Sequence, residues 1–144
     1  TQKYSPNMKT QNIPQVIYDL LLLSKMEVRK GDCGRLFLKI DDYEIHIVFS
    51  GENNQNISLL FCFPALSSDA LVEFAYNACL VINPSLYLAK IKVLPISDTE
   101  EALFAVVDYT CFTNQDAVDF ITEGLNAIIC AKMMVSEFYM SNRQ

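Results

Sequence analysis

Histidine is almost absent from this chain, and its scarcity excludes several kinds of catalytic site. His46 is the only histidine, so neither a zinc site with two histidine ligands nor a relay that needs a second histidine can form. Because His46 lies between Ile45 and Ile47 in an alternating run, we expect it on the solvent-facing side of a strand. The four glycines match neither a phosphate-binding loop nor a GxSxG nucleophile turn.

Basic residues are also scarce, which narrows the range of partners. Eleven Lys and Arg face seventeen Asp and Glu, so the net charge is −6 and the pI is about 4.6. We interpret the basic residues as scattered along the sequence, since only Arg29 and Lys30 are adjacent. Since clustered basic side chains supply most of the affinity for phosphates, we expect neither nucleic acid nor an anionic membrane surface as a partner.

Long hydrophobic runs and paired catalytic acids are missing as well. No stretch approaches the roughly 18 apolar residues of a membrane span. Residues 1–11 lack the apolar segment of a signal peptide, which leaves open a signal removed before Thr1. Asp41-Asp42 and Glu100-Glu101 fall in predicted turns, where water solvates both carboxylates and their pKa values are seldom split. We therefore expect no catalytic residue, no metal and no cofactor, and we predict that the protein is not an enzyme.

The five cysteines form an odd set without a CxxC pair. They are Cys33, Cys62, Cys79, Cys111 and Cys130. All but Cys33 lie inside apolar runs, so we interpret them as core residues of a protein in a reducing, cytoplasmic compartment. Cys33, between Asp32 and Gly34 in a polar loop, is the best placed of the five for reactivity.

Apolar residues, by contrast, are plentiful and follow an ordered change of period. They make up 51% of the 144 residues, enough for a core at a common domain size. The blocks run in the order one helix, three strands, a helix, two strands and a long helix. This α-β-β-β-α-β-β-α order predicts an α+β fold with helices packed on an antiparallel sheet. We expect a flexible segment over 1–11 and a single domain over 12–144.

Periodicity and capping residues place the individual elements. Asn12 is expected to cap a first helix that ends near Lys25, and Glu27–Lys30 offers a short edge strand ended by Gly31 and Gly34. Further strands are predicted over 36–40, 43–49, 57–63, 86–94 and 102–112, with Pro64 ending the third of these. A second helix runs from a Ser67 or Ser68 cap to Asn83, and Asn114 caps the last helix, which continues to about Tyr139.

The two later helices carry more apolar surface than we expect one sheet face to cover. Two stripes that we interpret as almost opposite follow the last helix: Val118, Ile121, Leu125, Ile128, Val135 and Tyr139, and then Phe120, Gly124, Ala127, Ala131, Met134 and Phe138. Either the first helix covers the surplus or another polypeptide does, and we favour the second explanation. The predicted dimer or partner interface consists of Val72, Tyr76, Leu80, Phe120, Met134 and Phe138.

The order of blocks resembles a known scaffold. The 16–25 helix, the 36–40 and 43–49 hairpin, the 70–83 helix, the 89–93 strand and the 117–139 helix together resemble the type III secretion chaperone-like fold. Within it the chain is most similar to the YbjN-like group of candidate sensory transduction regulators. The resemblance implies a small cytoplasmic protein, commonly a homodimer, that binds other polypeptides and catalyses nothing. It provides no motif from which functional residues can be transferred.

Two functional hypotheses follow. The first is a non-enzymatic protein-binding module, chaperone-like or regulatory, that uses apolar surfaces to dimerise and to hold a partner polypeptide. The alternative is a regulatory domain that senses a small ligand, which requires an enclosed pocket with a few convergent polar groups.

Overall fold

The computed structural model describes residues 12–142, so the flexible segment predicted over 1–11 lies outside the described residues. Three helices accompany a six-stranded antiparallel sheet with the strand order β1-β2-β3-β4-β6-β5. The predicted α+β class is therefore confirmed. The short edge strand is also confirmed, so four strands rather than three separate the first two helices.

The bounds of the elements agree closely with the alternation in the sequence. The helices are α1 (Ile13–Leu23), α2 (Asp69–Ile82) and α3 (Asn114–Asn142), and the strands are β1 (Glu27–Lys30), β2 (Leu36–Ile40), β3 (Tyr43–Ser50), β4 (Asn56–Ala65), β5 (Lys90–Pro95) and β6 (Glu101–Thr110). The 29 residues of α3 extend about 44 Å at 1.5 Å per residue. None of the described helices combines the length and apolar character needed to cross a membrane.

Two helix starts differ from the predicted caps. Asn12 adopts a left-handed conformation at φ 51° and its side chain makes no capping bond. At α3, Thr113 rather than Asn114 is the cap, because its hydroxyl accepts from the Asp116 amide at 3.0 Å. Asp116 returns the bond by accepting from the Thr113 amide, also at 3.0 Å, which is a reciprocal capping arrangement. Ser68 caps α2 as predicted, accepting from the Leu71 amide.

The predicted strand over 86–94 begins later than expected. Residues Asn83–Ser85 form a 3₁₀ turn after α2, and β5 starts only at Lys90. The Asn83 side chain then accepts from the Ile91 amide at 2.8 Å and donates to the Ile91 carbonyl at 3.0 Å. In this way one amide side chain satisfies both backbone groups of a strand residue. Pro64 does not end β4, since the strand continues to Ala65.

The described residues divide into two compact units, and β4, β6 and α3 contribute to both. Unit 1 contains residues 12–59 and Asp108–Gly124. Its core is formed by apolar residues of α1, of strands β2 to β4 and of the first half of α3: Ile13, Ile17, Leu21, Leu36, Leu38, Ile45, Ile47, Ile57, Leu59, Ala117, Phe120 and Ile121. Unit 2 contains Leu60–Val107 and residues 125–142. Its core includes Ala75, Ala78, Ile82, Ile91, Leu103, Ala105, Val107, Leu125, Ile128, Ala131 and Val135.

The two apolar stripes of α3 are not almost opposite, and that prediction was wrong. Phe120, Gly124 and Ala131 of the second stripe are buried together with Ile121, Leu125 and Ile128 of the first. Neighbouring helix residues differ by about 100° around the axis, so both sets fit on one broad buried arc. The small residues of the second stripe make that breadth possible. At Gly124, a β-carbon would lie 2.7 Å from Leu59 Cδ1.

Candidate functional site

An apolar groove in unit 2 is the candidate functional site. It has a volume of about 490 Å³ and is formed by the end of β4, the start of α2, one residue of β6 and the last turns of α3. The lining residues are Phe63, Pro64, Ala65, Leu66, Leu71, Phe74, Ala75, Leu103, Val135, Ser136, Tyr139 and Met140. None of them carries a charge at neutral pH, and only Ser136 and Tyr139 have a polar side-chain atom.

Backbone hydrogen bonds fix the walls of the groove. The Leu66 amide donates to the Glu101 carbonyl at 2.9 Å, which holds the chain against β6 after it leaves β4. The Ser68 hydroxyl then accepts from the Leu71 amide at 3.2 Å, so α2 begins within five residues of that contact. Leu71 and Phe74 are thereby placed on the first turns of α2, facing the groove.

Aromatic contacts hold α2 against the last turns of α3. The Phe74 ring lies 5.2 Å from the Phe138 ring and 5.6 Å from the Tyr139 ring, the latter nearly perpendicular at 89°. Such pairs contribute about 0.5–1.5 kcal/mol beyond their buried area. Phe74 and Tyr139 also line the groove, so the same contacts that join the helices shape its wall.

The groove suits the binding of apolar side chains better than catalysis. Its lining offers no carboxylate, imidazole, amine or thiol as an acid, base or nucleophile. Elsewhere, burial raises the pKa of the half-buried Cys79 thiol, which makes it a weaker nucleophile at neutral pH. Among the described residues, no group of three His, Cys, Asp or Glu side chains could hold a metal ion.

The cysteines were predicted to be core residues, and for two of them that prediction was wrong. Cys111 is buried and Cys79 is half-buried, but Cys62 and Cys130 are exposed. The error at Cys62 has a simple cause. Cys62 lies between Phe61, which is buried, and Phe63 in a period-two strand, so it points to the opposite side.

The six interface residues predicted from the sequence are found in different environments. Tyr76 and Leu80 are exposed on α2, with 51% and 76% of their surface accessible, and Val72 is half-buried. Phe120 is only 4% exposed and stacks on Tyr109 in unit 1, with ring centres 4.6 Å apart. Met134 and Phe138 are half-buried on α3, and Phe138 contacts the groove residue Phe74.

The sequence reasoning missed the groove itself. Its residues come from four separate segments, and none of these segments has an unusual pattern when it is read alone. The nearest signal was the apolar run from Phe63 to Leu66. This run continues past the predicted strand end and stops only at Ser67, before the cap of α2.

Comparison with known proteins identifies the fold. No protein-family model matches the chain, and no curated protein matches it. The solved structure of YbjN from E. coli, described as a candidate transcription regulator, is similar with a TM-score of 0.63 and 15% sequence identity. The match covers 85% of this chain and 88% of YbjN. The YbjN-like fold expected from the order of blocks is thus confirmed, and at this identity the similarity concerns the fold alone.

Proposed function

We propose that the protein is a non-enzymatic protein-binding module that holds an apolar segment of a partner polypeptide in the groove of unit 2. The observation that carries this proposal is the uncharged lining of a 490 Å³ groove in a chain with a net charge of −6. Binding to a surface of this kind is favourable because it removes apolar side chains of the partner from water. YbjN is described as a candidate regulator, and a regulatory role exerted through protein binding is part of the proposal.

The size of the groove sets the expected strength of binding. Two or three Leu, Phe or Met anchors would fill it, and each fully buried anchor contributes about 1.5–3 kcal/mol. Association costs at least about 4 kcal/mol in lost translational and rotational freedom. We therefore expect weak, reversible binding of a short segment, which is suited to regulation or to a holding role. The alternative, a small sensed ligand, finds only the Ser136 and Tyr139 hydroxyls to orient it.

Met140 and Met133 of α3 allow a matched test of the groove. They are 59% and 56% exposed, and only Met140 lines the groove. We expect Met140→Asp to weaken the binding of a labelled amphipathic peptide, with Leu at one face and Lys at the other, by at least about tenfold. The reason is that the substitution places a carboxylate where apolar anchors are buried. Fluorescence polarisation measures the affinity.

Met133→Asp is the control for that experiment. It adds the same charge to the same helix outside the groove, so we expect less than about a twofold change in affinity. Equal losses of affinity in the two variants would mean that peptide binding depends on the net charge of the protein and not on the groove. Tight binding of small apolar ligands without peptide binding would favour the sensing alternative.

We propose in addition that the protein forms a homodimer through the outer face of α2. Tyr76 and Leu80 are exposed there, one helical turn apart, and Val72 continues the row. A stable dimer usually buries about 800 Å² per subunit, with aromatic and aliphatic residues at its centre. Phe120 is left out of this surface because it is buried in unit 1. Met134 and Phe138 lie on α3, and we assign them to the binding of the partner polypeptide instead of to the dimer.

The dimer proposal predicts a change of mass in solution. Light scattering after size exclusion is expected to give twice the 16.3 kDa chain mass for the native protein. The variant Tyr76→Asp, Leu80→Asp is expected to give the monomer mass, because two carboxylates at the centre of the interface would be buried unpaired. Ser97→Asp, in the exposed turn after β5, is a control for added charge and is expected to remain dimeric. A native monomer would refute the dimer but leave the groove proposal standing.

The cellular setting is the last part of the proposal. Cys33, Cys62 and Cys130 are exposed free thiols, and exposed thiols persist in reducing compartments. We therefore propose that the protein acts in the cytoplasm, without a cofactor.

A further inference from the structure

A second pocket lies in unit 1, where β1 turns into β2, and its chemistry is the reverse of that of the groove. It has a volume of about 530 Å³ and is lined by Arg29, Lys30, Gly31, Asp32, Cys33, Arg35 and Phe37. Three of these side chains are cationic and one is a carboxylate, so the lining has an excess of two positive charges. These bases all lie within residues 29–35 of the sequence, and the hairpin arranges them around one pocket.

The register of strands β1 to β3 places the charges in rows across the sheet. One row is Glu27, Lys39 and Glu44, in which two carboxylates flank one amine. The next row is Arg29, Phe37 and His46. Arg35 directly precedes β2 in an extended conformation, two residues before Phe37, so the two side chains lie on the same side. Within the described part of the chain Arg35 makes no ion pair. The positive charge is therefore least compensated at the end of the hairpin where the pocket lies.

The Phe37 ring holds the guanidinium group of Arg29 in place. The Arg29 guanidinium lies 4.0 Å from the centre of the Phe37 ring, and the His46 ring packs edge-on against Phe37 at 4.7 Å. The ring also occupies the place that a side chain at position 31 would fill, because a β-carbon on Gly31 would collide with it. The Arg29 guanidinium is thus held over the Phe37 ring, and its ion pair with Glu44 is 3.5 Å long, the outer limit of a hydrogen bond.

Lys30 also contributes charge to the pocket. The Nζ donates to the Gln15 Oε1 at 3.0 Å and lies 4.6 Å from the Tyr18 ring. An ammonium has three N–H donors, so Lys30 retains donors for a ligand, but the two arginines have the better geometry. A guanidinium presents parallel N–H donors that match the oxygens of a phosphoryl group.

We propose that the pocket between Arg29 and Arg35 binds the phosphoryl group of a small molecule. A dianionic phosphate balances the excess charge of the lining, whereas a single carboxylate balances half of it. A nucleic acid is a poorer fit, since polyanions require many phosphate contacts along a surface and this chain is strongly acidic. The site is independent of the groove, so either proposal can fail without the other.

His46 provides a direct reporter of this site. Burial lowers its pKa, Glu44 raises it, and the charges of Arg35 and Arg29 lower it. Lys39 stands in the neighbouring row on the same side of the sheet. An anion bound at the arginines would offset their repulsion of the imidazolium. Because the chain has a single histidine, one NMR signal follows the titration without assignment problems.

The experiment is an NMR pH titration of the full chain with and without millimolar pyrophosphate, at ionic strength matched with sodium chloride. We expect pyrophosphate to shift the pKa of His46 upward by about half a unit, the size expected for a double negative charge roughly 10 Å from the ring in water. Arg35→Gln should abolish the response, since it removes an exposed side chain without disturbing the core. Lys39→Gln, four residues later in β2 and on the same side but outside the pocket, should retain it.

Three outcomes would overturn the proposal. The first is an unchanged pKa in pyrophosphate, and the second is an equal shift in the native chain and in Arg35→Gln. The third is a shift with a short DNA duplex but none with pyrophosphate, which would assign the arginines to a polyanion. Circular dichroism of each variant confirms that the fold is intact, so a missing response reports on binding.

Discussion

Replacing Leu59 by alanine is expected to lower the free energy of unfolding by about 2–5 kcal/mol, the usual cost of a cavity in a packed core. Leu59 is fully buried in unit 1. Its Cδ1 would lie 2.7 Å from a β-carbon at position 124, and Phe120 Cζ would lie 2.8 Å from the same atom. Leu59 therefore occupies the space that the absent side chain of Gly124 leaves open.

Gly124→Ala is expected to destabilise the native chain but to stabilise the Leu59→Ala variant. In the native chain the added methyl group overlaps both Leu59 and Phe120, so we expect a cost in the upper part of the usual range of about 1–3 kcal/mol, which exceeds the gain of about 1 kcal/mol in helix propensity. Once Leu59 is truncated, its overlap with the methyl group is removed and the Phe120 ring, 2.8 Å from the same β-carbon, gains space to move away, so the gain in propensity remains. Urea unfolding of the two single variants and the double variant gives the coupling energy, which we expect to be at least about 1 kcal/mol.

Ile57 provides the control for this double-mutant cycle. It is fully buried two residues earlier on β4, so Ile57→Ala creates a comparable cavity. Ile57 is not among the nearest atoms to a β-carbon at position 124. We expect Ile57→Ala and Gly124→Ala to add within about 0.5 kcal/mol. If the effects of Leu59→Ala and Gly124→Ala are also additive, the close approach of Leu59 to Gly124 does not govern stability.

Most of the secondary structure could be predicted because its signals are local. β1 and β2 begin and end at the predicted residues, since alternation and the glycines at 31 and 34 mark them within a few positions. The start of α2 depends on one hydroxyl, that of Ser68, three residues before the amide it accepts from. In the turn after β3, Gly51 and Asn54 both take positive φ angles, as their residue types allow.

The start of β5 and the cap of α3 were less predictable because each depends on a contact made elsewhere. After α2 the chain forms the 3₁₀ turn Asn83–Ser85, and the Asn83 side chain bonds to Ile91 near the start of β5, eight residues away. Thr113 is chosen over Asn114 as the cap because Asp116 can return its bond. A propensity scale ranks both cap residues as suitable, so the choice follows from the partner.

The two candidate sites could not be predicted, because each is a property of several segments together. The groove needs Phe63 of β4, Phe74 of α2 and Tyr139 of α3 in one place. The basic pocket needs the pairing of β1 with β2, which brings Arg29 opposite Phe37 and leaves Arg35 on the same side. In the sequence, Arg29 and Arg35 lie six residues apart, and nothing in that spacing alone shows that they face one pocket.

Cys111 is expected to react with iodoacetamide at pH 8 about 100- to 1000-fold more slowly than the exposed thiols of Cys33 and Cys130. The side chain is 1% exposed, and its backbone amide is fixed to the Gln55 carbonyl at 2.7 Å. Burial, assisted by the negative charge of Asp116, raises the pKa of the Cys111 thiol to about 11. At pH 8 only about one molecule in a thousand then carries the reactive thiolate. Mass spectrometry of peptides after timed labelling gives the rates.

The same pKa predicts a loss of stability in alkali. The folded-state pKa of Cys111 lies above the ordinary value of 9.0, so the folded chain holds a proton that the unfolded chain releases. The stabilisation is complete below about pH 9 and is lost as the pH rises towards 11, at up to about 1.4 kcal/mol per pH unit. Cys111→Ala should be less stable at pH 8, because it leaves a small cavity, but should lose less stability between pH 8 and pH 10.5. If the native chain and this variant lose the same amount of stability between pH 8 and pH 10.5, the thiol is not held neutral by its surroundings. Rapid labelling of Cys111 in the folded protein would show the same.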